Sequence, residues 1–272
     1  GAYNYMTGLG GMTGLDYLTA WRPPVAKCRW LRLEAKEFVA QLEGLQREVA
    51  GQMNLPEGIA LNEALCENLF MILVSVLNQV PIFVIGKPGS SKSLAMGLVA
   101  ANLNGDASEA PFLRALPAVE VFSYQCSPLS TSGGIEQAFE TARRYKQEAG
   151  NTVVVVLLDE VGLAEQSPHL PLKVLHKVLD EAGAGEAVVG ISNWALDPAK
   201  MNRAVHLYRP APTVEDLSLT AEGMVRSANL KGYLSALARA YSAVYSSQEH
   251  ADFWGLREFY STVRAINSAL KA

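Results

Sequence analysis

The sequence holds only three cysteines, Cys28, Cys66 and Cys126, with no CxxC pair and no Asn-x-Ser/Thr sequon. That scarcity excludes a disulfide-framed secreted scaffold and predicts a reducing, cytoplasmic setting. The four histidines, His169, His176, His206 and His250, lack ligand spacing, so no structural zinc is expected. Charge is also sparse, at 18% of residues and a net −4. No basic surface offers itself to nucleic acid or anionic lipid, and neither is expected as a partner. Long hydrophobic runs are missing. The most apolar stretch, Leu69 to Ile85, is cut by Asn78, Gln79 and Pro81. Each piece falls far short of the roughly 20 residues a spanning helix needs, so no transmembrane segment is expected. No signal peptide is visible, and a chain that starts at Gly1 and stops inside a helical run is expected to be a piece of something longer.

What is present is a large apolar fraction, 49% of 272 residues, enough for one substantial domain with a smaller satellite. Residues 1–30 are rich in Gly, Tyr and Pro and read as irregular. Gly8, Gly10 and Gly14 have no strand before them, which removes the context of a dinucleotide loop. A charged helix is predicted from Leu31 to Val49. A second runs from Leu61 to Leu77, with Leu61, Leu65, Leu69, Leu73 and Leu77 as its buried face. Then the period changes. Val80–Ile85, Val119–Tyr124, Val153–Leu158, Val188–Ser192 and Val205–Tyr208 read as strands, with helices Ile135–Glu148 and Leu172–Asp180 between them. The uninterrupted Val and Leu of 153–158 are what a strand buried on both faces requires. The alternation predicts a parallel α/β sheet flanked by helices. Beyond Pro210–Pro212 only helices follow, near Thr213–Met224, Leu230–Ser246 and Gly255–Leu270. The expected division is an unassigned segment 1–55, an α/β nucleotide-binding core 56–212 and a helical lid 213–272.

Gly86-Lys87-Pro88-Gly89-Ser90-Ser91-Lys92-Ser93 follows an apolar strand and opens a helix beginning at Leu94. This is the Walker A context. Inward-turned backbone N–H groups and a helix N-terminus make an anion site, Lys92 can reach the β- and γ-phosphates of ATP, and the Ser93 hydroxyl can ligate Mg²⁺. Ser91 stands where the motif has its second glycine, and its Cβ narrows the backbone options of the loop. Val153–Leu158 runs into Asp159-Glu160, a Walker B pattern. Asp159 can hold the Mg²⁺ through a water, and Glu160 can polarise an attacking water. A polar turn with an incidental lysine, or a strand ending in solvated acids, would explain either motif alone. Their conjunction, at a separation normal for P-loop folds, favours the nucleotide reading.

An acidic pair at the end of that strand, then Val189-Gly190-Ile191-Ser192-Asn193, resembles the AAA+ superfamily. The resemblance implies that Asn193 is its sensor 1 residue, and that Arg257, in Gly255-Leu256-Arg257, is its sensor 2. It also implies an arginine-finger role for Arg203, although a helix C-terminus favours a surface cation by its dipole alone. More specific strings are Gly86–Leu94, Asp159–Glu165, Ile191–Arg203 and Phe253–Ser261. These resemble the AAA+ modules of the mysterin family, giant RING-type E3 ubiquitin ligases on a dynein-like AAA+ core. The likeness runs from about Ile59 to Arg264. It implies neighbouring AAA+ modules in one continuous polypeptide, and a parent chain that ubiquitinates targets. No Cys/His array or acceptor cysteine among these 272 residues performs ubiquitin transfer.

The expected activity is Mg-ATP hydrolysis by in-line attack of water, with Lys92, Ser93, Asp159, Glu160, Asn193 and Arg257 as its parts. The rival is a structural or regulatory module that binds nucleotide without turnover, for which Ser91 leaves room. A small-molecule kinase is a weaker third, since no acceptor pocket is suggested.

Overall fold

The computed structural model describes residues 33–180, 185–225, 230–249 and 254–271. The expectations for residues 1–30, including the glycines at 8, 10 and 14, lie outside them. Two helices lead in, α1 (Ala35–Gly51) and α2 (Glu63–Leu77). The strands are β1 (Ile82–Gly86), β2 (Ala118–Gln125), β3 (Thr152–Asp159), β4 (Glu186–Ser192) and β5 (Val205–Arg209). Between them lie α3 (Lys92–Asn102), α4 (Pro111–Arg114), α5 (Ser132–Glu148), α6 (Val161–Ala164), α7 (Val174–Asp180) and α8 (Pro198–Met201). The chain closes with α9 (Val214–Val225), α10 (Lys231–Ser247) and α11 (Leu256–Lys271).

The strands form one five-stranded sheet in the order β2-β3-β4-β1-β5, and every pairing is parallel. Every residue of β1 and β4 is buried, as inner strands covered on both faces must be. Period 2 then sorts side chains between two cores. Val84, Val155 and Val189 pack with Leu65, Leu69, Ile72 and Val76 of α2 and with Ala95 and Val99 of α3. Phe83, Val154, Val156 and Val188 face the opposite way, onto Ile135 and Phe139 of α5 and Leu175 of α7. Each such side chain contributes about 1.5–3 kcal/mol when fully buried. Gly190 is a required gap in this second layer: a Cβ there would fall 2.2 Å from the Phe83 ring. The last three helices bury a third cluster, including Leu217, Ala221, Leu234, Ala238, Tyr241, Phe259 and Val263.

The leucine face of α2 differs from a strict four-residue repeat. Leu65, Leu69 and Leu73 are buried, but Leu61 precedes the helix and is 40% exposed. A repeat of four drifts around a 3.6-residue turn, and Ile72 and Val76 complete the buried face instead. The helix expected over Leu172–Asp180 starts as a 3₁₀ turn, Pro171–Lys173, before α7. Because all strands are parallel, Gly86, Asp159 and Ser192 end at the same edge of the sheet. The chain leaves β1 toward one side for β2 and returns on the other for β5, so β1 is the topological switch point, where open α/β sheets bind ligands.

Candidate nucleotide site

The loop after β1 is a tight turn fixed by its own polar groups. Ser90 N and Oγ both donate to the Lys87 carbonyl, and buried Asn68 donates to the Ser90 carbonyl at 3.0 Å. Gly89 (φ +87°) and Ser91 (φ 61°) are left-handed, natural for the glycine and costly for the serine. Ser91 is the N-cap of α3, yet its side chain caps nothing. The first N–H groups of α3 therefore keep their pull on an anion at the mouth of the loop.

Lys92 is only 5% exposed. Its ammonium donates to the carbonyls of Gly86 and Lys87, the latter at 3.0 Å, and to Asn193 Oδ1 at 3.2 Å. Burial pulls its pKa down to about 8; Arg257 pushes the same way, while Glu160 and Asp159 oppose both. Asn193 in turn donates from Nδ2 to Glu160 Oε2 at 3.1 Å. One amide thus bridges the loop cation and the carboxylate beyond β3. Glu160 itself is held left-handed (φ 54°), its N–H donating to Asp159 Oδ1 at 3.0 Å. Strain of this kind costs of order 1–3 kcal/mol and persists only where the surroundings enforce it. Cys126, whose N–H donates to the Asp159 carbonyl, has its thiol pushed up to about 12 by burial and by the Asp159 charge, so it stays protonated and unreactive.

These groups open onto a cleft of about 420 Å³, lined by the loop from Pro88 to Leu94, by Asp159, Glu160, Ile191 and Asn193, and by α11. That volume is in the range of small-molecule sites. Of the residues expected from sequence, Pro88, Gly89, Ser90, Ser91, Lys92, Ser93, Leu94, Asp159, Glu160, Asn193 and Arg257 converge there. Gly86 and Lys87 do not line it. Gly86 sits behind, where a Cβ would fall 2.7 Å from Arg209 Cβ, and the Lys87 ammonium turns to Tyr245, which accepts its hydrogen bond and presents its ring 4.9 Å away. Arg203 lies outside the cleft. Its Nε donates to Asp180 at 2.9 Å and its Nη1 to the Ala199 carbonyl at 2.6 Å.

Sequence reasoning missed Tyr260, Ser261 and Arg264, which line the same cleft. They stand three, four and seven residues after Arg257, one face of a helix, and that spacing was the available signal. The Tyr260 hydroxyl is pushed up to about 12, first by burial and then by Asp216.

A parallel five-stranded sheet, a phosphate-type loop at its switch point, an acidic strand end and a helical C-terminal part define a nucleotide-binding AAA+ module. Residues 58–216 match the family described as RNF213 AAA domain, more than half of the chain, and the protein belongs to that family. It is 43% identical over 229 residues to the E3 ubiquitin-protein ligase RNF213 of Mus musculus, and 42% identical over 233 residues to that of Homo sapiens. These matches cover 79% and 80% of this chain but only 4% of each relative. A solved structure of the Aeropyrum pernix ORC1 protein in complex with DNA shares the fold, with a TM-score of 0.51 and 15% identity over 75% of this chain and 59% of that one. Among the described residues, no helix is long and apolar enough to cross a membrane.

Proposed function

We propose that this module binds Mg-ATP in the cleft and hydrolyses it by in-line attack of water, as one part of a larger cytoplasmic chain. The observation that carries the proposal is the Lys92–Asn193–Glu160 bridge. It puts a desolvated cation on the phosphate side of a single amide and a carboxylate on the other. Phosphoryl transfer needs positioning and charge neutralisation more than covalent chemistry, and these residues supply both. Lys92 trades its loop carbonyls for phosphate oxygens. The left-handed turn at Glu160 aims its carboxylate into the cleft to orient the water. Asn193, already bonded to both, reports whether a γ-phosphate lies between them, and Arg257 does so from the lid.

Among the described residues no three His, Cys, Asp or Glu side chains converge as a metal cage. A Mg²⁺ ion needs none, since one carboxylate, one hydroxyl and the nucleotide's own phosphates suffice, and Asp159 and Ser93 are the matching donors. Bound there, the metal would neutralise charge on the β- and γ-phosphates.

The division into core 56–212 and lid 213–272, with 1–55 in another role, belongs to this reading, as does Arg203 serving a neighbouring module's site. Ubiquitin transfer by the parent chain is inferred from the names of its relatives and falls outside these residues. The test is phosphate release by the full-length protein with Glu160→Gln, a change that keeps shape and removes charge. Loss of the Glu160-dependent share of turnover, with ATP still bound, is expected. Turnover at the wild-type rate would instead favour the second reading, a module that binds nucleotide without hydrolysis, to which the strained Ser91 lends support.

A further inference from the structure

The segment following β4 touches the segment following β3 at three successive places. Asn193 donates to Glu160 as described, the Trp194 ring lies against Gly162, and Asp197 N donates to Glu165 Oε1 at 2.9 Å. The middle contact is the tightest. A Cβ on Gly162 would fall 2.8 Å from Trp194 Cε2, 2.9 Å from Nε1 and 2.6 Å from Ser192 Oγ. Only glycine lets the indole approach this closely, so the pairing of residue types at 162 and 194 is a matched one.

Trp194 is 39% exposed and takes no part in either core beside the sheet. An indole left this open is poorly explained as core filling. Its neighbours are fixed by polar bonds: Ser192 Oγ donates to the Trp194 carbonyl, and the Trp194 N–H donates back to Ser192 Oγ at 3.3 Å. Directly beneath lies α6, whose N-cap is Glu160 in its left-handed conformation. A four-residue helix has too little of its own hydrogen bonding to enforce that strain. Packing must help: Val161 and Ala164 of α6 are buried in the second core, and Trp194 is the large side chain set against its Gly162.

We propose that Trp194 is a positioning residue for Glu160: its indole, seated on Gly162, clamps α6 and so holds the Glu160 carboxylate at the reacting end of the cleft. This rests on the hydrolytic reading above. The clamp acts on geometry at the chemical step and leaves the phosphate loop alone. Trp194→Ala should therefore slow turnover without loosening nucleotide.

The experiment uses the full-length protein and follows the Glu160-dependent share of ATP turnover, with nucleotide occupancy read by hydrogen exchange at residues 92–102. Trp194→Ala is expected to lower that share about tenfold or more and to change ATP affinity less than about twofold. Trp194→Phe, which keeps a ring on Gly162, should restore most of the rate. Added to Glu160→Gln, Trp194→Ala should cost nothing further, because both act through one carboxylate. The proposal is overturned if Trp194→Ala turns over normally, if it loses affinity in proportion to rate, or if the two changes multiply. Should Glu160→Gln alone leave turnover intact, the hydrolytic reading fails and the clamp falls with it.

Discussion

Gly89 of the phosphate loop and Leu256 at the start of the last helix are in backbone-close contact: a Cβ on Gly89 would lie 2.6 Å from the Leu256 Cβ. The loop and α11 therefore meet through a missing side chain, next to the residue, Arg257, that lines the cleft from α11. Gly89→Ala meets two obstacles at once, a left-handed φ of +87° and this contact. The conformational part costs about 1–2 kcal/mol, and relief of the contact must move α11 outward. Lower thermal stability and at least about tenfold weaker ATP binding are expected together. Unchanged ATP-induced thermal stabilisation would show that the loop does not depend on its contact with α11.

Ser91 carries the opposite error. Its left-handed φ of 61° costs about 1–2 kcal/mol for a residue with a Cβ, whereas a glycine costs about 0.5–1 kcal/mol in added freedom of the unfolded chain. Ser91→Gly is therefore expected to stabilise the chain by up to about 1 kcal/mol and to bind ATP at least as tightly. Thermal unfolding with and without nucleotide measures both. A destabilised variant would mean that the serine side chain contributes something its geometry does not show.

The sheet was readable because strands buried on both faces appear as unbroken Val and Leu, as 153–158 do. The loop and the acidic pair were readable because their chemistry is contiguous in sequence. Side-chain direction was not. Lys87 sits inside the motif, yet it turns to Tyr245, 158 residues away, a pairing no local pattern encodes. Four-residue helices such as α4 and α6 carry no period, so the support beneath Glu160 was invisible. Which face of α11 meets the cleft, and so the place of Arg264, is set by the tertiary fold rather than by any local pattern.

Arg203 is anchored to Asp180 within its own chain, the two side chains being 31% and 60% exposed. A pair this open is worth about 0–1 kcal/mol, so it orients the guanidinium more than it stabilises the fold. Arg203→Ala should leave this module's ATP affinity and stability nearly unchanged. In the intact parent protein it should slow hydrolysis at whichever neighbouring site receives the arginine. Such trans arginines are worth roughly 10³ to 10⁵ in rate in well-studied NTPases. By the same reasoning the isolated chain should bind ATP but turn it over very slowly. Loss of ATP binding in the isolated Arg203→Ala chain would place the arginine at its own site and end the trans reading.

Arg257 and Arg264 line one cleft from one helix face, and among the described residues neither has an ion-pair or hydrogen-bond partner. Unpaired cations facing a cleft with a phosphate-type loop are suited to an anionic ligand. Seven residues of helix rise by about 10 Å, so the two guanidiniums are suited to different parts of one extended ligand. A Cβ on Gly89 would lie 3.4 Å from the Arg257 backbone N, so Arg257 is expected at the phosphate-loop end of the cleft, where it also helps push the Lys92 pKa down. On the proposed nucleotide reading, Arg264 is then expected nearer the α-phosphate and ribose, a part that ATP and ADP have in common. Arg264→Ala is therefore expected to weaken ATP and ADP equally, by about tenfold, as for one charge-assisted hydrogen bond at a partly solvated site. Arg257→Ala should weaken ATP more than ADP, and Arg264→Lys should keep most of the affinity. Calorimetric titration of each variant with both nucleotides gives the comparison. An Arg264→Ala chain that binds both as the wild type does would remove Arg264 from the site, and a loss confined to ATP would move it to the γ-phosphate.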